Sequence, residues 1–292
     1  MKRRECIAAG GAALVAWPCV ARSDAARQAT FDREVRRIEN ASGGRLGVAL
    51  RDSATGAGYA WRADERFPLT STFKMLLAAQ VLAAVDRGTE HLARRIAIQA
   101  SDLVPYAPAT QPRVGGEPMT LAELCEAAVA LSDNVAANVL LAGFGGPAGL
   151  TAWLRTLGDT VTRLDRIEPQ LNEAVPGDVR DTTTPAAMLR TMDRLVLGDA
   201  LSPASRRQLT DWLLANKVGA TRLRAQLPAG WRIADKTGAG ANGTNNDVGV
   251  LWPPQRGPLL VAAYLTGSTA DGPGRDRALA EVGRLAATLF TP

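Results

Sequence analysis

The sequence predicts a mixed α/β fold of the α+β kind: a five-stranded antiparallel sheet flanked by terminal helices, with an all-helical lobe inserted between its early and late strands. Three observations carry this. Strand-like patterning is confined to two stretches, one before residue 67 and one after residue 230. Helical periodicity fills the interval, and amphipathic patterns stand near both ends.

Taken in order, "FDREVRRIENAS" reads as a first helix, and "RLGVALRDSATGAGYAWRADERF" alternates on both sides of the turn "ATGAG", as a β-hairpin does. "STFKMLLAAQVLAAVDRG" opens the helical block. "TLAELCEAAVAL" follows, started by a capping box from Thr120 to Glu123, and then "SPASRRQLTDWLLANK", with Pro203 in its first turn. The late strands are "WRIADKTG", "NDVGVLWPP" and "PLLVAAYLTGS", and "RDRALAEVGRLAATLF" closes the chain as an amphipathic helix. One domain, residues 26–292, is expected, with an α/β lobe at about 26–66 and 216–292, a helical lobe at about 67–215, and a site in the cleft between them. Arg163 to Pro185 has no convincing period. A loop of that length inside a compact domain is functional or disordered, and Ile167, Leu171 and Val175 suggest that it packs.

The N-terminus reads as an export signal rather than as structure. "MKRREC" is a basic n-region, "IAAGGAALVAW" is an apolar core too short to span a bilayer, and "CVARSDA" offers small residues for cleavage, so residues 1–25 are expected to be removed. Arg3-Arg4 raises the twin-arginine route and Cys19 a lipoprotein, though "AWPC" is a poor lipobox. The mature protein is expected in the periplasm or secreted, as a monomer without a stable membrane anchor.

With 46% hydrophobic and 22% charged residues the composition is that of a water-soluble globular protein. The net charge is only +5, and the arginines are scattered without an aromatic-rich basic stripe, so no nucleic-acid partner is expected. Beyond the leader the only cysteine is Cys125, read as a small buried hydrophobe, and no intramolecular disulfide can form. Lysine is rare: beyond the leader it stands only at 74, 217 and 236, while arginine supplies nearly all other positive charge. A buried lysine can give up a proton and arginine cannot, so a role specific to an amine is to be suspected at those positions.

In "LTSTFKMLL", Ser71 and Lys74 lie one helical turn apart and share a face of an otherwise apolar helix. Ser-x-x-Lys alone is a weak signal, equally compatible with a helix-capping serine and an exposed lysine. Two further motifs strengthen it: "SDN" at Ser132, Asp133 and Asn134 after a helix, and "KTG" at Lys236, Thr237 and Gly238 toward the end of a strand. A serine hydroxyl needs a base within hydrogen-bond reach, and the single histidine, His91, lies in the polar segment "DRGTEHLARR". The base is therefore Lys74 or a carboxylate. No His/Cys cluster offers a metal site, and no cofactor is expected.

Together with "EPQLN" at Glu168 to Asn172, these motifs resemble those of the class A serine β-lactamases in order and spacing, and the likeness covers essentially the whole mature chain. The resemblance implies hydrolysis of the β-lactam ring of penicillins and some cephalosporins through a serine acyl-enzyme, conferring antibiotic resistance. It makes Ser71 the nucleophile, Lys74 and Ser132 proton relays, and Glu168 with Asn172 the pair that holds the deacylating water. It leaves open whether Lys74 or Glu168 activates Ser71. The backbone N–H groups of Ser71 and Ala239 are implied as the oxyanion hole. By the same resemblance Lys236 and Thr237 bind the substrate carboxylate and Asn134 the side-chain amide of the substrate, and Tyr106, Asn172, Arg222 and Gly238 also belong to the substrate-binding set. Arg166 and Asp181 match the salt bridge that ties the loop in relatives, and the Glu168–Pro169 bond is expected to be cis.

The sequence also departs from some members. Thr70 and Gly240 stand where carbapenem-hydrolysing relatives carry a cysteine pair, and Asn245 stands where many relatives have an arginine; Arg222 matches an alternative arginine for the substrate carboxylate. A penicillin-binding DD-peptidase and a β-lactam sensor domain are the rival readings. Glu168 and Asn172 speak against both.

Overall fold

A computed structural model describes residues 19–290, with side chains from residue 25 onward; the expected leader lies outside these residues except for its last few positions. Five strands, β1 (Arg45–Asp52), β2 (Gly58–Trp61), β3 (Arg232–Gly240), β4 (Thr244–Trp252) and β5 (Leu259–Thr266), form one antiparallel sheet in the order β2-β1-β5-β4-β3. Helices α1 (Cys19–Ser42) and α8 (Gly272–Phe290) cover one face. Between β2 and β3 the chain runs through α2 (Phe73–Asp86), α3 (Leu121–Ala130), α4 (Asn134–Gly143), α5 (Gly146–Thr156), α6 (Pro185–Met192) and α7 (Pro203–Leu214).

The alternation of a strand's side chains separates two cores. Leu46, Val48 and Leu50 of β1, with Val261, Ala263 and Leu265 of β5, face Phe31, Val35 and Ile38 of α1 and Leu279, Val282 and Leu285 of α8. Ala49, Leu260, Ala262 and Tyr264 point the other way, into the larger core built on α2. Central strand β5 is buried on both sides, so its sequence is a continuous apolar run.

Helix α2 is the axis of the helical lobe. Every residue from Phe73 to Ala84 is buried, as expected of a helix that is apolar all round. The capping box at Thr120 and Glu123 forms as the sequence predicts, and Ser202 caps α7 ahead of Pro203. The lobe also holds two minimal strand pairs, Phe67–Pro68 with Thr182–Thr183 and Arg95–Ile96 with Met119–Thr120, too short to leave a periodic signal. Among the described residues no single helix is long and apolar enough to cross a membrane.

Two connections aim the fold at its cleft. A tight turn with Asn242 (φ 51°) and Gly243 (φ 62°) joins β3 to β4 and lets β3 run to Gly240, past the KTG motif. Against α8 lies the segment that carries Arg222: a Cβ on Gly283 would stand 2.3 Å from the carbonyl oxygen of Leu223, so glycine is needed for this approach.

Candidate active site

Ser71 lies in the 3-10 turn Thr70–Thr72 that leads into α2, and Lys74 follows one turn later inside the buried helix. An ammonium taken from water into such surroundings is expensive unless partners surround it. Lys74 Nζ donates to the Ser132 carbonyl at 2.8 Å and to Asn134 Oδ1 at 2.6 Å, and pairs with Glu168 Oε1 at 2.9 Å. Burial pushes the Lys74 amine below the ordinary lysine range, and the negative charge of Glu168 opposes that fall.

Glu168 is wholly buried and sits where three groups converge. Its Oε1 is 3.5 Å from Ser71 Oγ, at the outer limit of a hydrogen bond, and its Oε2 accepts from Asn172 Nδ2 at 2.5 Å. The peptide bond to Pro169 is cis, as the resemblance implies. Among the described residues Asn172 Oδ1 has no hydrogen-bond partner, which leaves it able to accept from a water beside the glutamate.

Polar anchors hold the loop that carries Glu168. Arg166 Nε pairs with Asp181 Oδ2 at 2.6 Å, while Asp181 Oδ1 accepts the backbone N–H groups of Asp165 and Arg166 at 2.7 and 2.9 Å. Asp181 is 1% exposed, which sets this pair apart from an ordinary surface ion pair. Of the three apolar residues expected to pack the loop, only Leu171 is buried; Ile167 and Val175 are 45% and 46% exposed. Polar ties hold the loop where an apolar face was expected to.

Sequence reasoning missed one of those ties. Asn138 donates from Nδ2 to the Glu168 carbonyl and accepts the Glu168 N–H at Oδ1, both at 2.9 Å. Its spacing of four from Asn134 on α4 puts both amides on one helix face, and that spacing was the available signal.

The three members of SDN divide their tasks. Ser132 adopts a left-handed backbone (φ 59°), and its Oγ lies 3.5 Å from Lys74 Nζ and 3.1 Å from Lys236 Nζ, between the two amines. Asp133 is buried and caps α4 at Ala136 N; the same carboxylate accepts from the N–H groups of Ala109 and Thr110 and from the Thr110 hydroxyl. That fixes the loop bearing Tyr106, which is 55% exposed at the rim. Asn134 donates to the Pro105 carbonyl at 2.8 Å.

Opposite stands β3, the sheet's edge strand, so one side of its backbone is free of the ladder and borders the cleft. Gly238 meets residues 69–71 so closely that a Cβ there would lie 2.0 Å from Thr70 Oγ1 and 3.2 Å from Ser71 N. Lys236 is fully buried, and burial together with the charges of Lys74 and Arg222 pulls its amine down to about 7, against the pull of Asp235 and Asp247. Arg222 is held by Asp276 at 2.8 Å and by the carbonyls of Gly238 and Asn246 at 2.7 and 2.9 Å. Asn245, in place of an arginine, donates to the same Asp276 at 2.7 Å.

A cavity of about 310 Å³ opens between the lobes, lined by Ser71, Tyr106, Ser132, Asn134, Asn172, Arg222, Thr237, Gly238 and Ala239, with Val218 as a wall residue that the motifs did not indicate. Lys74, Glu168 and Lys236 lie behind this lining. Each expected site residue is thus in the cavity wall or directly behind it. Cys125 is buried and free, and burial pushes its thiol well up, away from reactivity.

The comparisons agree with this geometry. Residues 30–290 match the model of the β-lactamase enzyme family. The chain is 49% identical over 265 residues to a β-lactamase of Streptomyces albus G, covering 88% of this chain and 84% of that protein, and 46% identical over 249 residues to the β-lactamase AER-1 of Aeromonas hydrophila, covering 85% and 82%. Among solved structures, an ancestral class A β-lactamase shares 61% identity at a TM-score of 0.87, covering 90% of this chain and all of that one. A putative class A enzyme, PenP of Rhodopseudomonas palustris, shares 55% at 0.86, covering 91% of this chain and all of that one. A serine in the turn that enters a buried helix, a lysine on that helix, a glutamate delivered by a clamped loop and an edge strand across the cleft thus occur in a chain that matches these proteins almost end to end, and it belongs to the class A β-lactamases, serine hydrolases that open the β-lactam amide bond.

Proposed function

We propose that this enzyme hydrolyses penicillins and some cephalosporins through an acyl-enzyme on Ser71. The observation that carries the reading is a linked set of groups beside Ser71: Glu168 approaches its hydroxyl at 3.5 Å, Lys74 pairs with Glu168 at 2.9 Å, and the Ser132 hydroxyl lies 3.5 Å from the Lys74 amine. Ser71 Oγ attacks the lactam carbonyl, its proton passing to Lys74 or Glu168. The carbonyl oxygen gathers charge, which the N–H groups of Ser71 and Ala239 receive. The C–N bond breaks as Ser132 hands its proton to the lactam nitrogen and is reprotonated from the adjacent amines. Glu168 then takes a proton from a water held with Asn172, the water attacks the ester, and the departing Ser71 oxygen recovers a proton.

Lys236, Thr237 and Arg222 would fix the substrate carboxylate, with Gly238 giving it room, while Asn134 and Tyr106 hold the side chain. Arg222 commits Nε to Asp276 and one terminal nitrogen to main-chain carbonyls, which leaves the other terminal nitrogen for the substrate. A charge-assisted hydrogen bond is worth about 1.5 to 3 kcal/mol, so Arg222→Ala is expected to lower kcat/KM for a penicillin by roughly one to two decades. Equal rates in the variant would remove Arg222 from carboxylate binding.

Residues 26–292 would act as a single monomeric catalytic domain, exported by the leader to the periplasm or medium, with no stable membrane anchor and no nucleic-acid partner, conferring resistance there. Because every chemical role falls on serine, lysine and glutamate, hydrolysis is expected to survive a strong chelator; loss with chelator and return with zinc would refute the assignment. Initial rates on a penicillin, an oxyimino-cephalosporin and a carbapenem test the substrate range. A preference for the carbapenem would contradict it.

A further inference from the structure

Thr70, immediately before the nucleophile, has φ 44°, a left-handed backbone that a β-branched residue rarely adopts unless its surroundings impose it. It is completely buried. What surrounds it is the side chain of Asn246 on β4. The Asn246 amide nitrogen faces three oxygens at once: the Pro68 carbonyl at 2.9 Å, the Leu69 carbonyl at 3.2 Å and Thr70 Oγ1 at 2.9 Å. Thr70 Oγ1 itself donates to the Leu69 carbonyl at 2.8 Å, so it is placed to accept from Asn246. The bend before Ser71 is therefore tied at three consecutive residues by one amide.

We propose that Asn246 is a positioning residue for β-lactam hydrolysis: by holding Thr70 in its left-handed turn it sets the Ser71 hydroxyl and N–H against the oxyanion strand. Two further contacts favour this over a simple tie between lobes. Asn246 pairs across the ladder with Gly238, the residue whose Cβ would collide with Thr70 Oγ1 at 2.0 Å, so the Thr70 side chain is lodged against the oxyanion strand. The Asn246 main-chain carbonyl also accepts from Arg222 at 2.9 Å, which links the nucleophile's turn to the arginine assigned to the substrate carboxylate. The Asn246 Oδ1 is buried with no partner among the described residues, so the ties of this amide side chain run through its nitrogen.

The proposal rests on Ser71 being the nucleophile, and the test keeps the two apart. Wild type, Asn246→Ala, Thr70→Gly and the double variant are compared for single-turnover acylation by a penicillin, KM, melting temperature and adduct mass. Asn246→Ala is expected to slow acylation by about 10- to 100-fold, as small misplacements of reacting groups do, with KM changed by less than about threefold. Glycine takes a positive φ without strain, so in the Thr70→Gly background removing Asn246 should cost less than about threefold. Should alanine leave no folded protein, Asn246→Ser, which keeps a donor on a shorter arm, gives the same comparison. Equal losses in both backgrounds, or a lower melting temperature with unchanged acylation, would overturn the positioning role. An adduct absent from Ser71 in wild type would instead overturn the nucleophile.

Discussion

Replacing Glu168 by alanine is expected to leave a protein that acylates but does not turn over. The carboxylate lies within reach of Ser71 Oγ and is gripped by Asn172, and in the proposed cycle it draws the proton from the deacylating water. Loss of a positioned general base costs about two to four decades in the step it serves, so the ester should accumulate. Acylation can still proceed by way of Lys74. That amine loses its nearest negative charge in the variant, so its proton affinity falls further and its fitness as a base at neutral pH changes with it. Intact-mass spectrometry after mixing with a penicillin should show the protein heavier by one whole substrate, with proteolysis placing the adduct on Ser71. Free turnover without an adduct would make the loop structural and dismiss the mechanism.

Ser71→Ala should have the largest effect of all. Where catalytic groups act as a unit, deleting the nucleophile alone removes about six decades of rate, leaving only what binding and oxyanion donors provide. Stability should hardly move. Among the described residues the one hydrogen bond of the Ser71 hydroxyl is the 3.5 Å approach to Glu168, and the helix entry is fixed instead by its neighbours, with the Thr72 hydroxyl donating to the Leu69 carbonyl at 2.7 Å. Unchanged circular dichroism with hydrolysis of a chromogenic cephalosporin near the wild-type rate would move the nucleophile elsewhere.

Periodicity makes most of the fold legible in the sequence. The hairpin at 45–61, the three late strands and the long helices each bury one face or both, and burial writes itself as a repeat of apolar residues. The loop at 163–185 is legible only as an interruption. It is held by Arg166, Asp181 and Asn138, whose ties are polar and, in the case of Asn138, come from a distant helix, so no hydrophobic pattern records them. Ile167 and Val175 point to solvent for the same reason. Ser71, Lys74, Ser132 and Lys236 can be suspected from residue chemistry, whereas Tyr106 and Ala239 are indicated only by likeness, since an exposed ring and a backbone N–H carry no signature of their own. Asn246 lies beyond both routes, because its meaning depends on the φ of a residue far away in sequence.

The sheet's connectivity also governs the order in which this chain can mature. Strand β1 lies inside the sheet and pairs with β5 along its whole length, Arg45 opposite Thr266, so its second edge finds no mate until nearly the entire polypeptide has been synthesised. The helices of the inserted block find one another within residues 73–214, although their shared core is completed only by Leu260, Ala262 and Tyr264 of β5. A nascent chain stopped short of β5 would already hold Ser71, Lys74 and Glu168 in one segment, yet without β5 to join β3 and β4 to β1 the oxyanion strand would have no settled place across the cleft. Closing so long a loop is paid in chain entropy before any sheet contact returns it, which puts completion of such a fold on a timescale of roughly milliseconds to seconds. Hydrolytic activity therefore reports the last event of folding, and a ribosome-bound or C-terminally shortened chain should be compact, helical and silent.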